Sequence, residues 1–347
     1  MTRFSRAGFI LLLVLFQAVK LFGQTAAPSD IFHAYENDGF LNDLGRGTDH
    51  AYTSGLQVNL LYAKSHPSRF FVDHLLPKAG DSSVNTYGIG LMQILYTPND
   101  LSAAYYIPND YTYATANIAK YSLYSFNAQK KYDFQTEVVA GIMGPAALGK
   151  QAQRWLHNAI RDTGMPNGWA NQYLDDVLFN INFSAEKLLF SNNKSIEIIG
   201  DAGLCAGTML DEAEIGPTIR IGKMQPYFQG YMNHFYTSYS EKGWNYVQLY
   251  LIIRPAIQYV LYNAMLQGGL FSASPTVSTF ITVDNMRDQI YFEKPKQAIE
   301  NFVGYIAYGP VLAYRHFSMS FTQSYYTQVL KGVYPCIYGN ISIYYSW

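Results

Sequence analysis

The chain has 347 residues, of which 49% are hydrophobic, 16% aromatic and only 14% charged, with 31 tyrosines. A soluble globular protein carries about 25% charged residues, and a disordered chain lacks this apolar content. Setting Arg3, Arg6 and Lys20 aside with a leader leaves 21 basic against 25 acidic side chains, so the basic stripe that nucleic-acid binding needs is missing.

Arg3 and Arg6 precede an apolar run from Ala7 to Ala18, which ends at small or polar residues around Gly23–Gln24. This three-part pattern predicts a secretory signal peptide over residues 1–24, leaving 25–347 as a single domain. No later stretch holds about 18 uncharged apolar residues, which excludes a helical span. Period-two alternation takes over instead. Leu56, Val58, Leu60 and Tyr62 share one face against Thr53, Gln57 and Asn59. Tyr132, Phe134, Val138, Ala140 and Ile142 oppose Asp133, Gln135 and Glu137. Ile215, Ile219 and Ile221 oppose Thr218 and Arg220, and Phe317, Met319 and Phe321 oppose Ser318, Ser320 and Thr322. Such strands fit a transmembrane β-barrel, apolar toward lipid and polar toward the lumen, with tyrosine girdles at its rims. Twelve strands are predicted, at 31–37, 51–63, 85–97, 112–127, 132–142, 171–183, 185–205, 209–223, 245–265, 297–314, 315–329 and 334–347. Residues 147–160 lack alternation and predict a helix between the fifth and sixth strands. The last strand alternates Ile341, Ile343, Tyr345 and Trp347 with Ser342, Tyr344 and Ser346. It resembles the C-terminal strand of bacterial outer-membrane proteins. Cys205 and Cys336 make no disulfide framework or metal cluster and are small strand residues, although export would permit a bridge.

An even strand count puts both chain ends on the periplasmic side, so the first, third and fifth connections are extracellular. The unusual polar clusters fall at those connections: Glu36-Asn37-Asp38, Thr48-Asp49, Tyr52-Thr53-Ser54-Gly55, Tyr96-Thr97-Pro98, Asp110-Tyr111, and the helix with Gln153 and His157. Outer loops are often simply polar, so placement alone proves little. His157 follows Gln153 by one helical turn, so both project from one face, and an imidazole can take a proton from water near neutral pH. A lone histidine in a loop helix is nevertheless more often decorative. Asn37 and Asp38 offer hard oxygens suited to calcium, although such a pair is usually a turn or a cap. Asp175-Asp176 reads as solvated. No G-x-S-x-G elbow, Walker loop or zinc spacing is present.

Glu36-Asn37-Asp38, Thr48-Asp49 and Tyr52-Thr53-Ser54-Gly55 together resemble the N-terminal signature of the outer-membrane lipid A deacylase family (lipid A 3′-O-deacylase). Gln93 to Pro98, Asp110 to Ala114, Gly144-Pro145, Gln153, His157, Pro166, Gly168-Trp169 and Gln172 continue the pattern. The resemblance implies a twelve-stranded barrel in the bacterial outer membrane, with its site at the outer face between wall and loop helix. It implies hydrolysis of an ester on lipid A of lipopolysaccharide, releasing the 3′-linked acyloxyacyl group. His157 would be the general base on a water, as in secreted phospholipase A2, and Ca²⁺ near Asp38 and Asn37 would polarise the carbonyl. Asn37 and Thr53 match family site positions, and Gln153 matches a polar partner on the histidine's helix. Two departures stand out. The acidic residue that follows the histidine has no clear match, Asp162 being near. The family's Asp-Arg-Pro-Tyr-Ala-Gly run is Asp110-Tyr111-Thr112-Tyr113-Ala114-Thr115, so an arginine that could contact substrate phosphate is missing. The expectation is a monomeric calcium-dependent esterase among outer-membrane lipids; the rivals are a non-catalytic pore or structural barrel, and a phospholipase on the same fold.

Overall fold

The structure is a computed structural model that describes residues 30–42, 51–64, 70–160, 165–192, 195–236, 247–283 and 286–347. The expected leader, Thr48-Asp49 and Asp162 lie outside the described residues. Among the described residues fourteen strands follow one another: β1 (Asp30–Asp38), β2 (Ala51–Tyr62), β3 (Val84–Thr97), β4 (Ala114–Asn127), β5 (Tyr132–Met143), β6 (Asp176–Ser191), β7 (Ile196–Gly207), β8 (Leu210–Lys223), β9 (Val247–Asn263), β10 (Thr276–Val283), β11 (Met286–Glu293), β12 (Phe302–Tyr314), β13 (Phe317–Tyr326) and β14 (Cys336–Ser346). Twelve of them close an antiparallel barrel, in which β12 pairs with β9 and β14 with β1. Closure leaves no unpaired edge, the condition for spanning a bilayer with strands. At one end Asp30 and Trp347 exchange backbone hydrogen bonds of 3.3 and 3.0 Å. We call this end the base and the opposite one the crown.

All twelve expected barrel strands are present, with two corrections. β6 runs on to Ser191 instead of ending at 183, because the turn is made where Asn192 accepts from the Ser195 and Ile196 amides at 2.8 and 2.9 Å. Asparagine caps a tight turn in this way, whereas residues 184–185 can pair and do. The hairpin β10–β11 was not expected. It is a separate two-stranded sheet at the crown, inside what reads as one long connection.

Alternation sorts the wall. Leu56, Val58, Leu91, Val177, Phe179, Ile181 and Ile215 are exposed outward, while Gln57, Asn59 and Thr218 are buried inward. Inside, Tyr35 donates to Gln57, Gln57 to Asn59, and Asn59 meets His33, at 2.7, 2.6 and 2.9 Å. Lys120 pairs with Glu137 at 3.2 Å. The base of the lumen is plugged by the connection between β8 and β9. Tyr231 stacks on Tyr124 and Phe235 on Tyr344, with ring centroids 4.0 and 3.8 Å apart. Phe228 packs on Phe126, and Arg220, paired with Glu197 at 2.6 Å, lies 5.2 Å from the Tyr227 ring. At the crown end a cavity of about 270 Å³ remains, lined by Tyr52, Tyr96, Glu212, Gln258, Tyr338 and Cys336 among others. Both cysteines are free.

Candidate active site

The β-barrel's outward face should be apolar, so a polar residue in outward register near the crown is informative. β1 has Tyr35 and Asn37 facing the lumen, so Glu36 and Asp38 face out. The Ser54 hydroxyl donates to Glu36 Oε1 at 2.8 Å, on the same outer surface. Asp38 pairs with Ser54 across the strands. Between Tyr52 and Ser54 the register shifts, which leaves Thr53 as the extra residue of a bulge. A bulge re-aims a side chain, and here the Thr53 hydroxyl meets that of Thr97 at 2.5 Å. Outward residues Gln93, Leu95 and Thr97 follow on β3, and Thr115 and Asn117 on β4. A polar track therefore crosses four strands on the surface that elsewhere carries leucine and isoleucine.

The loop helix Gly149–Ile160 covers the β4 end of that track. Gln93 and Asn117 both donate to the Ala147 carbonyl at 3.0 Å and anchor the turn that leads into it. Gly149 allows the close approach, since a Cβ there would lie 2.6 Å from Thr115 Cβ and 2.7 Å from the Trp169 ring. Gly149, Gln153 and His157 form one stripe at four-residue spacing, and all three are buried. Gln153 is 3% exposed and His157 4%, whereas Trp155 is 71% exposed. The helix is thus mounted with its polar stripe inward and its tryptophan outward. Gln153 Oε1 accepts from the Trp169 indole at 2.8 Å, while its Nε2 is buried without a partner. Thr115 Oγ1 is orphaned as well. Buried unpaired donors normally cost about 1–3 kcal/mol each, so such atoms mark a surface shaped to receive something.

The expected residues are therefore distributed as follows. Asp38 pairs with Ser54, the residue after Thr53, on the outer wall, and Gln153 and His157 lie on the inward stripe of the helix that covers the β4 end of the track. Asn37 sits one residue from Asp38 but on the opposite face. Its Oδ1 accepts from Asn340 at 2.6 Å, and its Nδ2 donates to the Tyr52 hydroxyl at 3.4 Å. The chain after Asp38 is held down where Gln323 donates to the Leu41 carbonyl at 3.0 Å. That carbonyl would lie 2.3 Å from a Cβ at Gly339, so only glycine admits it. The other described histidines are elsewhere: His33 and His234 in the lumen, His74 and His316 toward the base. Thr97 belongs to the rim cluster read from the sequence, whereas Thr115 and Asn117 were not named as site candidates; their signal is a polar residue in lipid-facing register. The solvated reading of Asp175-Asp176 is corrected for its second member. Asp176 is buried and accepts main-chain hydrogen bonds from Val177, Phe271 and Ser272 at 2.7, 2.7 and 2.8 Å. It fastens a crown loop.

A profile of the family described as outer membrane protein LpxR matches residues 9–347. The structure of LpxR from Salmonella typhimurium is similar, with a TM-score of 0.68 at 14% identity over 92% of this chain and 100% of that one. Two other barrels are less alike. The β domain of the Bordetella autotransporter BrkA has a TM-score of 0.42 at 8% identity, with 93% and 99% of the chains covered. The translocator domain of NalP from Neisseria meningitidis has 0.38 at 8%, with 99% and 95% covered. No curated protein matches the sequence. With a closed twelve-stranded barrel and a family match over nearly the whole length, this chain belongs to the LpxR family, the outer-membrane lipid A deacylases.

Proposed function

We propose that the chain is a calcium-dependent ester hydrolase that removes the 3′-linked acyloxyacyl group from lipid A at the extracellular face of the outer membrane. The observation that carries this reading is the inverted loop helix. Burying Gln153 and His157 while exposing Trp155 is unfavourable unless lipid lies outside and a polar reaction lies inside. A site on the outer surface of the wall, at crown height, opens toward lipid rather than toward the lumen. An ester at the boundary between headgroup and acyl chains could enter it laterally. The lumen is stopped at its base by the aromatic plug, which supports the hydrolase over a pore.

In this reading His157 takes a proton from water through an imidazole nitrogen as that water attacks the ester carbonyl; the bond from the acyl carbon to the sugar oxygen then breaks, and the imidazolium returns the proton to the departing hydroxyl. Gln153 aligns the helix through Trp169, and Thr53 sets the opposite wall of the cleft. The donors beside Asp38 are carboxylate and hydroxyl oxygens from Glu36, Thr53 and Ser54, which fits a hard cation. Among the described residues no three His, Cys, Asp or Glu side chains form a metal set, so main-chain and water oxygens would complete the shell. That is a habit of calcium rather than zinc. Asp38 would hold the ion with its carboxylate; Asn37, its amide committed to the lumen, could offer only its main-chain carbonyl. Bound Ca²⁺ would polarise the ester carbonyl and stabilise the developing oxyanion.

The test is mass spectrometry of lipid A incubated with purified protein and Ca²⁺. Loss of one acyloxyacyl unit is expected, and chelation, His157→Ala and Asp38→Ala should each abolish it. Activity surviving either substitution sinks the mechanism.

A further inference from the structure

One buried charge takes no part in this chemistry. Lys294 directly follows β11 and is 2% exposed. Its Nζ donates to the Tyr173 hydroxyl at 2.9 Å and to the Pro295 carbonyl at 3.5 Å. The ammonium lies 4.5 Å from the Tyr173 ring centroid and 5.6 Å from that of Tyr106. Among the described residues no carboxylate comes within ion-pair distance. Asp176, behind the adjoining loop, has its oxygens occupied by main-chain amides.

An ammonium has three donors, and two are used here. Burying it without a counter-charge is costly, and tyrosine faces recover only part of that cost. Burial accordingly lowers the Lys294 pKa to about 8. Lys294 is among the residues that line a small cavity, with Tyr173, Gly268, Ser272, Ser274 and Lys296. Its volume, about 20 Å³, holds roughly one water-sized group. Ser272 and Ser274 are half-buried and Lys296 is exposed, so two hydroxyl-bearing residues and a second cationic residue share the cavity's lining.

We propose that this cavity is an anion subsite in which Lys294 takes one oxygen of a phosphate group, with Ser272, Ser274 and Lys296 contacting the remainder. A hydrogen-bond chain runs from the subsite to the segment that precedes β4. Gln297 Oε1 lies 3.1 Å from both the Tyr173 and the Thr112 hydroxyls, and its Nε2 donates to the Asp110 carbonyl at 2.5 Å. Lys294 is therefore a short hydrogen-bond chain away from Asp110–Thr112, the segment that carries Tyr111 where the related pattern has arginine. The source of the phosphate as a lipid headgroup rests on the deacylase reading; the anion site itself does not.

The experiment uses the full-length protein in detergent with Ca²⁺. Hydrolysis of phosphorylated lipid A is compared with that of the dephosphorylated lipid, and inorganic phosphate is titrated against the thermal midpoint. The wild type should show a roughly tenfold lower KM for the phosphorylated lipid at similar kcat, the size of one lost charge-assisted hydrogen bond. Lys294→Met should erase that difference and the phosphate-induced shift. It should leave the ligand-free midpoint unchanged or raised, because an unpaired buried cation has gone. A phosphate shift without a KM difference would support the subsite and assign it to free phosphate. Lys294→Met retaining both effects would overturn it, as would a large loss of stability in that variant that Lys294→Arg repairs without restoring phosphate binding. The Ser274→Ala, Lys296→Met pair lies at the cavity mouth and gives a second reading, with a several-fold loss expected. If neither lipid is hydrolysed by the wild type, the deacylase reading falls, while the phosphate titration still decides the subsite.

Discussion

Asn37 and Asp38 are neighbours in the chain, but their side chains are separated by the thickness of the sheet. Successive strand residues point to opposite faces, and the partners of Asn37 are Asn340 and Tyr52. The two residues should therefore behave differently when truncated. Asn37→Ala removes lumen hydrogen bonds at the end of β1 and is expected to cost about 1 kcal/mol. Turnover should fall only in part, because the strand end loosens without losing its carboxylate. Asp38→Ala should leave stability nearly unchanged and remove turnover. Urea unfolding and lipid A hydrolysis on the same preparations check this, and equal behaviour of the two variants would refute the division.

The loop helix depends on two local devices, a polar clamp and a missing side chain. Gln93 and Asn117 hold the Ala147 carbonyl, and Gly149 lets the helix reach Thr115 and Trp169. Gly149→Ala places a methyl where no space exists, so the helix must move outward by a few tenths of an ångström or more. Since misplacement by about 1 Å can cost 100-fold in rate, kcat should fall by one to two orders of magnitude. The barrel, whose strand ladder does not pass through this helix, should keep its β-sheet circular dichroism and its thermal midpoint. A variant with normal kcat would show that the helix does not set the cleft. The bulge at Thr53 works in the same way on the other wall, turning a threonine out of the regular register to meet Thr97.

Across the molecule, the outer surface and the lumen have separate tasks. The wall presents apolar side chains to lipid, the polar track at its crown carries the candidate chemistry, and the base of the lumen is packed by the β8–β9 connection. The base plug is held by stacked rings and by Gln248, which donates to the Asn233 and Tyr236 carbonyls at 3.3 and 3.1 Å. The wild type should give no steady conductance in a planar bilayer. Replacing residues 226–235 by a short Gly-Ser linker should open stepwise currents while the outward site keeps its activity. Equal silence in both proteins would mean that the crown closes the barrel by itself, and conductance in the wild type would revive the pore reading.

Much of this was written in the chain. Period-two alternation determined twelve barrel strands and their faces, because lipid on one side and packed polar groups on the other select side chains at every second position. The family resemblance singled out Asn37, Asp38, Thr53, Gln153 and His157 as candidates. What alternation could not show was an element outside the barrel, such as β10–β11, or a turn built from one asparagine, as at Asn192. It also could not show that the loop helix is mounted polar stripe inward, or that Lys294 is buried with no carboxylate of the described residues beside it. Those depend on which surfaces come to rest against each other after closure. Sequence determined the period of the wall; only the tertiary structure decided what covers it, since local pattern specifies a face but not its neighbour.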